Sequence, residues 1–164
     1  MAISQGDRDW FCDRLRENWV SLYRLARSIT GSDADAQEAM AQAAYLAWDR
    51  FGQLRQREKF HSWLLKITAN EARQLCRRRC HTVSWEELET EPAAPVRETE
   101  DGSLWQAVQA LPRDQREAVV LFYCEDLSTE EIARVVGAAP GTVRVRLSRA
   151  REQLRKRLEV EQGG

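Results

Sequence analysis

Arginine and lysine side chains concentrate between Gly141 and Leu158, where seven of them accompany a single glutamate. Arg144, Ser148, Arg151 and Arg155 recur at helical spacing and share one face of a predicted helix. The planar guanidinium group of arginine can bond two acceptors on a guanine edge, or bind a phosphate. We therefore expect this face to contact DNA. The alternative is an ordinary amphipathic helix whose charged face is solvated.

The residues before this helix predict a helix-turn-helix. Ser128 and Glu131 match a capping box, Gly137 is suited to end the short helix, and Pro140 suits the first turn of the next one. The second helix should bury an apolar stripe made of Val143, Leu147, Ala150, Leu154 and Leu158. In this motif the second helix enters the major groove of duplex DNA.

A second face with possible nucleic-acid chemistry lies on a helix predicted from Phe60 to about Arg79. One side of it carries an aromatic ring, an amide and three cations: Trp63, Lys66, Asn70, Arg73 and Arg77. Such a set can stack an unpaired base and hold its backbone. The pattern alone leaves open whether Trp63 belongs instead to the core, beside Phe60, Leu64, Ile67 and Leu75.

The elements that position these faces are all predicted to be helices. One should run from about Asp7 to Thr30, with a buried face of Leu15, Trp19, Leu22, Ala26 and Ile29. Another should end near Phe51 and bury mostly small side chains, namely Ala36, Met40, Ala43, Ala44 and Ala47. After a polar loop at residues 52–59 comes the helix with Trp63.

Two further helices should precede the helix-turn-helix, one from Ser103 to Ala110 and one starting at Leu111-Pro112. The inner face of the second is predicted as Ala118, Val119, Phe122 and Tyr123. We therefore predict an all-α chain of two small domains, a three-helix bundle at residues 1–81 and a four-helix domain at residues 103–164.

Charge is segregated along the chain, although the net charge is only -1. Residues 50–79 contain nine Lys/Arg and two Glu, whereas residues 82–101 contain seven acids and one Arg. We interpret residues 82–102 as a flexible acidic linker that spans on the order of 70 Å when extended. Two basic blocks around an acidic connector favour a nucleic-acid binder with two sites.

Other classes of protein are disfavoured. No apolar run is long enough for a membrane span, no secretion signal begins the chain, and four cysteines without framework spacing fit a reducing cytoplasm. Cys76, Cys80, His81 and His61 make a poor zinc site, so we expect no metal and no cofactor. Without catalytic motifs or a phosphate-binding glycine loop, we expect neither an enzyme nor a small-molecule substrate.

The whole chain resembles the extracytoplasmic-function (ECF) group of bacterial RNA polymerase sigma factors. LPRDQREAVVLFYCEDLSTEEIARVVGAAPGTVRVRLSRAREQLRKRL is similar to the domain of that family that recognises the minus-35 promoter element. LYRLARSITGSDADAQEAMAQAAYLAW and FHSWLLKITANEARQLCRRR resemble the domain that binds core polymerase and melts the minus-10 element.

The resemblance implies roles for individual residues. Arg144, Val145, Ser148 and Arg149 fall where the family contacts minus-35 bases, with Thr142, Arg146 and Arg151 near phosphates. The implied minus-10 contacts are Trp63, Lys66, Asn70 and Gln74 on the helix, and Arg55, Gln56 and Arg57 in the adjacent specificity loop. Arg73 and Arg77 share the helical face and are predicted to join them. The implied polymerase contacts are Asp35, Glu38, Ala41, Gln42 and Tyr45.

The same resemblance implies three partners: core RNA polymerase, promoter DNA as duplex and as melted single strand, and an anti-sigma factor, often anchored in a membrane. Three departures from the family are notable. The second helix is DAQEAMAQAAYLAW where the family is usually close to DAEDLVQETFLRAW, Gln74 stands where an aspartate is common late in the third helix, and Ala139 replaces a serine or threonine cap. Two alternatives remain open: a helix-turn-helix regulator that acts alone, and a degenerate sigma paralogue that acts only through protein interaction.

Overall fold

The computed structural model describes residues 3–82 and 102–162, and every regular element in these ranges is helical. The chain divides into two compact units, Met1–Thr82 and Val83–Gly164. The predicted all-α class, with three helices in the first unit and four in the second, is confirmed. The predicted linker falls almost wholly outside the described residues.

The N-terminal unit is a bundle of three helices, α1 (Gln5–Thr30), α2 (Asp33–Asp49) and α3 (Phe60–Thr82). Ser4 caps α1 two residues earlier than the sequence predicts, and its side chain and that of Asp7 complete a capping box. Gly31 ends α1 in the left-handed region at φ 73°, where glycine has no steric penalty. Two single 3₁₀ turns, Phe51–Gln53 and Arg57–Lys59, flank the loop between α2 and α3.

Small side chains form the centre of this bundle, as predicted. Ala36, Met40, Ala43 and Ala47 of α2 are buried, which allows α1 and α3 to approach α2 closely. The predicted inner face of α1 needs one correction: Trp19 is 43% exposed, and Phe11 and Leu25 are buried. The periodicity of the sequence could not reveal this, because α1 carries apolar residues on more than one side.

The C-terminal unit contains α4 (Gly102–Gln109), α5 (Arg113–Val119), α6 (Thr129–Val136) and α7 (Pro140–Gln162). A π-helical turn, Val120–Cys124, continues α5. The wider turn changes the direction of the side chains, so the prediction that Tyr123 faces inward is wrong: its side chain is 53% exposed. Ala118 and Val119 are buried as predicted.

Among the described residues, no helix is both long enough and apolar enough to cross a lipid bilayer.

Candidate nucleic-acid interface

The helix-turn-helix forms from the local signals that predict it. The hydroxyl of Ser128 accepts from the backbone N–H of Glu131, and the Glu131 carboxylate accepts from the N–H of Ser128, both at 3.2 Å. Gly137 adopts φ 72° and donates to the carbonyl of Ala133 at 2.9 Å. The capping box begins α6 and the Gly137 contact ends it, so that α7 begins after three intervening residues, at Pro140.

Helix α7 buries one stripe and presents the opposite side to solvent. Val143, Leu147 and Ala150 are buried, and Leu154 and Leu158 are partly buried. The predicted base-contacting residues are all exposed: Arg144, Val145, Ser148 and Arg149. Thr142, one of the three residues predicted near phosphates, is exposed beside them in the first turn. The first three turns of α7 therefore present a polar, basic surface fixed by a buried stripe.

The other two residues predicted near phosphates already have partners within the chain. Arg146 is partly buried, with its guanidinium 3.9 Å from the carboxylate of Asp114. Arg151 donates to the hydroxyl of Tyr123 at 2.7 Å, and its guanidinium lies 5.5 Å from the ring centroid of Phe122. The position of each arginine side chain is thus set by a contact with another element, α5 for Arg146 and the π-helical turn for Arg151.

The start of α6 modifies the charge next to the basic face. Its own backbone N–H lowers the pKa of the Glu130 carboxyl, and the Thr129 hydroxyl and the nearby Arg144 and Arg134 lower it further. The start of α6 thus places a negative charge near Arg144.

The second candidate surface lies on α3. Lys66, Asn70, Gln74 and Arg77 are exposed along one side, while Leu64, Ile67 and Leu75 are buried on the other. Trp63 and Arg73 are partly buried at the edge between these sides. The Trp63 ring packs against Phe60 at a centroid distance of 5.8 Å. The ring of Trp63 is thus partly supported by the core and partly open, a position compatible with stacking a base.

The loop before α3 carries the three residues predicted to determine specificity, and all three are exposed. Arg57, however, pairs with the carboxylate of Asp7 and lies over the ring of Trp10, with its guanidinium carbon 4.8 Å from the ring centroid. The other two predicted residues, Arg55 and Gln56, directly precede Arg57 in the chain.

The predicted polymerase contacts lie on α2. Ala41, Gln42 and Tyr45 are exposed, with Tyr45 at 66%. The two acidic residues are engaged by α3: the Arg79 guanidinium is 2.8 Å from the carboxylate of Asp35 and 3.5 Å from that of Glu38. Sequence reasoning missed Arg79, because its partners are more than forty residues away in the chain.

The C-terminal unit also contains an apolar groove of about 420 Å³. It is lined by residues from three helices and the π-helical turn, among them Leu104, Trp105, Val108, Tyr123 and Leu154. Leu104 and Tyr123 are among the exposed large apolar side chains of this unit. A groove of this composition is suited to an apolar protein segment rather than to DNA.

The described residues contain no group of three or more His, Cys, Asp or Glu side chains that could share a metal ion. Cys76 is partly buried, with its thiol 3.8 Å from the carbonyl of Ile29, and Cys80 is exposed.

Comparisons with known families match both units. Residues 15–81 match the family described as Sigma-70 region 2, and residues 101–154 match Sigma-70, region 4.

Individual proteins agree with the family matches. The chain is 36% identical over 155 residues to the probable RNA polymerase sigma factor RfaY of Xanthomonas campestris, a match over 87% of the chain but only 38% of that relative. It is 32% identical over 155 residues to the ECF RNA polymerase sigma factor SigM of Mycobacterium tuberculosis, over 93% of the chain and 79% of the relative. The sigma factor RpoE of Bartonella quintana, solved with the anti-sigma factor NepR, is similar at a TM-score of 0.77 and 26% identity, over 92% of this chain and 97% of that one.

Proposed function

Because the chain belongs to the ECF RNA polymerase sigma factors of the sigma-70 family, we propose that it binds core RNA polymerase and directs the enzyme to promoters with two separate elements. The basic face of α7 recognises the minus-35 element as duplex. The exposed side of α3 and the loop before it recognise the minus-10 element and stabilise its melted strand. The chain supplies specificity, and the polymerase carries out the chemistry in the cytoplasm without a further cofactor.

One observation carries this proposal: each unit presents its own exposed polar face, and the two faces differ in chemistry. The α7 face has arginines and small polar side chains, which suit base edges and phosphates of a duplex. The α3 face combines Trp63 with Lys66 and Asn70, which suits an unstacked base and its backbone. A helix-turn-helix regulator acting alone would have no use for the second face.

Polymerase binding is assigned to the exposed side of α2, at Ala41, Gln42 and Tyr45, with Asp35 and Glu38 at its margin. Both carboxylates are already paired with Arg79. We therefore expect them to contribute less electrostatic energy to polymerase binding than unpaired carboxylates would. A similar sigma factor was solved with an anti-sigma factor, and we propose that such a factor also binds this chain.

The test uses the full chain with bacterial core RNA polymerase. Binding is measured by pull-down, and transcription is then measured from a fragmented genomic template, with core polymerase alone as the control. We expect transcripts whose start sites share two upstream elements.

Binding without such transcripts would support the degenerate paralogue instead. Duplex binding without polymerase binding would support a regulator that acts alone.

A further inference from the structure

We propose that Arg57 acts in minus-10 recognition as a positioning residue, by fixing the loop that presents Arg55 and Gln56, and that it makes no contact with DNA itself. This inference rests on the proposed function, since it concerns the same surface. It gives Asp7 and Trp10, which lie near the start of the chain, a share in promoter selectivity.

The contacts of Arg57 use both the edge and the faces of its guanidinium group. The edge pairs with the carboxylate of Asp7. The guanidinium carbon lies 4.8 Å from the ring centroid of Trp10 and 5.6 Å from that of Phe51, so the cation is held against two aromatic rings. We call these four residues, Asp7, Trp10, Phe51 and Arg57, the loop anchor.

The loop anchor is connected to the rest of the unit at two points. The Asp7 carboxylate accepts from the Ser4 hydroxyl at 2.8 Å and belongs to the capping box that starts α1. The Trp10 ring stacks on Phe51 at 5.8 Å and meets the edge of Phe60 at 5.2 Å. Phe51 and Phe60 are only 7% and 3% exposed, so the anchor is part of the hydrophobic core at the two ends of the loop.

The anchor leaves the preceding residues presented to solvent. Leu54 and Gln56 have extended backbones, and the carbonyl of Gln56 accepts from the N–H of Lys59 at 3.0 Å. Only one residue separates Arg57 from Arg55, so a displacement of Arg57 moves Arg55 as well. To bind a phosphate with the same edge, Arg57 would have to break its ion pair with Asp7. Arg55 and Gln56 are exposed and could contact DNA with that ion pair intact.

The two roles of Arg57 predict different behaviour for Asp7. A carboxylate close to promoter DNA repels phosphates, so its removal would strengthen binding if Arg57 contacted DNA directly. If Arg57 positions the loop, removal of Asp7 instead reproduces the effect of removing Arg57. Asp9 provides a matched control, because it lies on the same helix and its carboxylate accepts from Gln5 at 3.0 Å.

The experiment compares polymerase holoenzymes that contain the wild-type chain, Asp7→Asn, Arg57→Gln, the double variant, Asp9→Asn or Arg55→Gln. Transcription is measured on a promoter fragment from the genomic experiment, with each minus-10 position changed in turn. We expect Asp7→Asn and Arg57→Gln to change the preference at the positions that Arg55→Gln affects, by roughly two- to fivefold, the range of a solvent-exposed ion pair. The double variant should change it no further than Arg57→Gln does, and Asp9→Asn should leave it unchanged.

Hydrogen exchange of the free chain gives an independent measurement. The amides of residues 54–59 should exchange faster in Asp7→Asn and Arg57→Gln than in the wild type or Asp9→Asn, while those of α2 are unaffected. Unchanged exchange in the loop would overturn the inference even if a variant failed to transcribe.

Two further results would also overturn it. The first is a changed minus-10 preference in Arg57→Gln with none in Asp7→Asn. The second is a lower unfolding temperature of both variants with no change of minus-10 preference. A different result would refute the proposed function itself. In that case Arg55→Gln would alter no minus-10 preference, or the wild-type holoenzyme would make no specific transcripts.

Discussion

Arg149→Ala is expected to remove specificity at one position of the minus-35 element while leaving non-specific binding nearly intact. Arg149 is exposed on α7, five residues after Arg144. Five residues correspond to about 7.5 Å along a helix and a rotation of about 140° around it, so the two side chains point to different places in the groove. We therefore expect Arg144→Ala and Arg149→Ala to relax the preference at two different positions.

The expected magnitude follows from the chemistry of a bidentate contact. A guanidinium group that bonds two acceptors of one guanine contributes about 1–3 kcal/mol of discrimination, so binding to the matched site should weaken by about 5- to 150-fold. Binding to a scrambled site should change much less, because phosphate contacts dominate there. Arg151→Ala should instead weaken binding to both sites and reduce the salt slope by about one.

The assay is fluorescence anisotropy of the holoenzyme on minus-35 duplexes that carry single base-pair changes, at several salt concentrations. Arg157→Ala is the matched control, because Arg157 is exposed further along the same helix and lies off the face that Arg144, Ser148, Arg151 and Arg155 share. An equal loss on matched and scrambled duplexes for Arg149→Ala would refute the assignment. So would an equal effect of Arg157→Ala.

Three further predictions concern other parts of the chain. Trp63→Ala should leave minus-35 duplex binding unchanged but reduce promoter opening by about tenfold, because stacking of a base contributes about 1–3 kcal/mol. Trp63→Phe should retain most of the opening, and full opening by Trp63→Ala would show that Trp63 has a purely structural role. Gly137→Ala should destabilise the C-terminal unit by about 1 kcal/mol, because its φ of 72° is strained for alanine, whereas Gly141→Ala in the first turn of α7 should be neutral or stabilising in thermal unfolding. The Ser4 hydroxyl and Arg57 lower the pKa of Asp7 below its ordinary value of 3.8, so the stabilisation by Asp7 is complete above that pH and is lost as the pH falls through the folded-state pKa. A carboxyl NMR titration should show a higher pKa of Asp7 in Arg57→Gln than in the wild type.

The features that could be predicted from the sequence are those that neighbouring residues determine. The capping box of Ser128 and Glu131, the end of α6 at Gly137 and the start of α7 at Pro140 all form within a few residues. The stripe that begins at Val143 needs only the helical period and a core to face. For these reasons the helix-turn-helix was predicted in detail, with α7 extending to Gln162, four residues beyond the predicted stripe.

Two residues that the sequence predicts as buried, Trp19 and Tyr123, lie at the surface for different reasons. Trp19 fits the helical period of α1 but is 43% exposed, since Phe11, Leu22 and Leu25 provide the buried face there. Tyr123 fits the period of an α-helix, but the π-helical turn at Val120–Cys124 shifts it to the surface. A local change of helix type has no clear signal in the sequence.

Contacts between distant residues could not be predicted. Arg57 and Asp7 are 50 residues apart, and Arg151 and Tyr123 are 28 residues apart. Each cation has many possible acidic or aromatic partners in a chain with 31% charged residues, and only the packed fold selects among them. These contacts fix the positions of Arg57 and Arg151, two of the predicted site residues.

If α7 and α3 recognise separate promoter elements, a crossed experiment separates their two roles. Holoenzymes with the wild-type chain, Arg149→Ala or Asn70→Ala are assayed for promoter opening, by permanganate reactivity of unpaired thymines, on templates with an altered minus-35 or an altered minus-10 element. We predict that Arg149→Ala becomes insensitive to the minus-35 change but stays sensitive to the minus-10 change, and that Asn70→Ala shows the reverse. Loss of discrimination at the same element in both variants would show that the two helices do not act on separate elements.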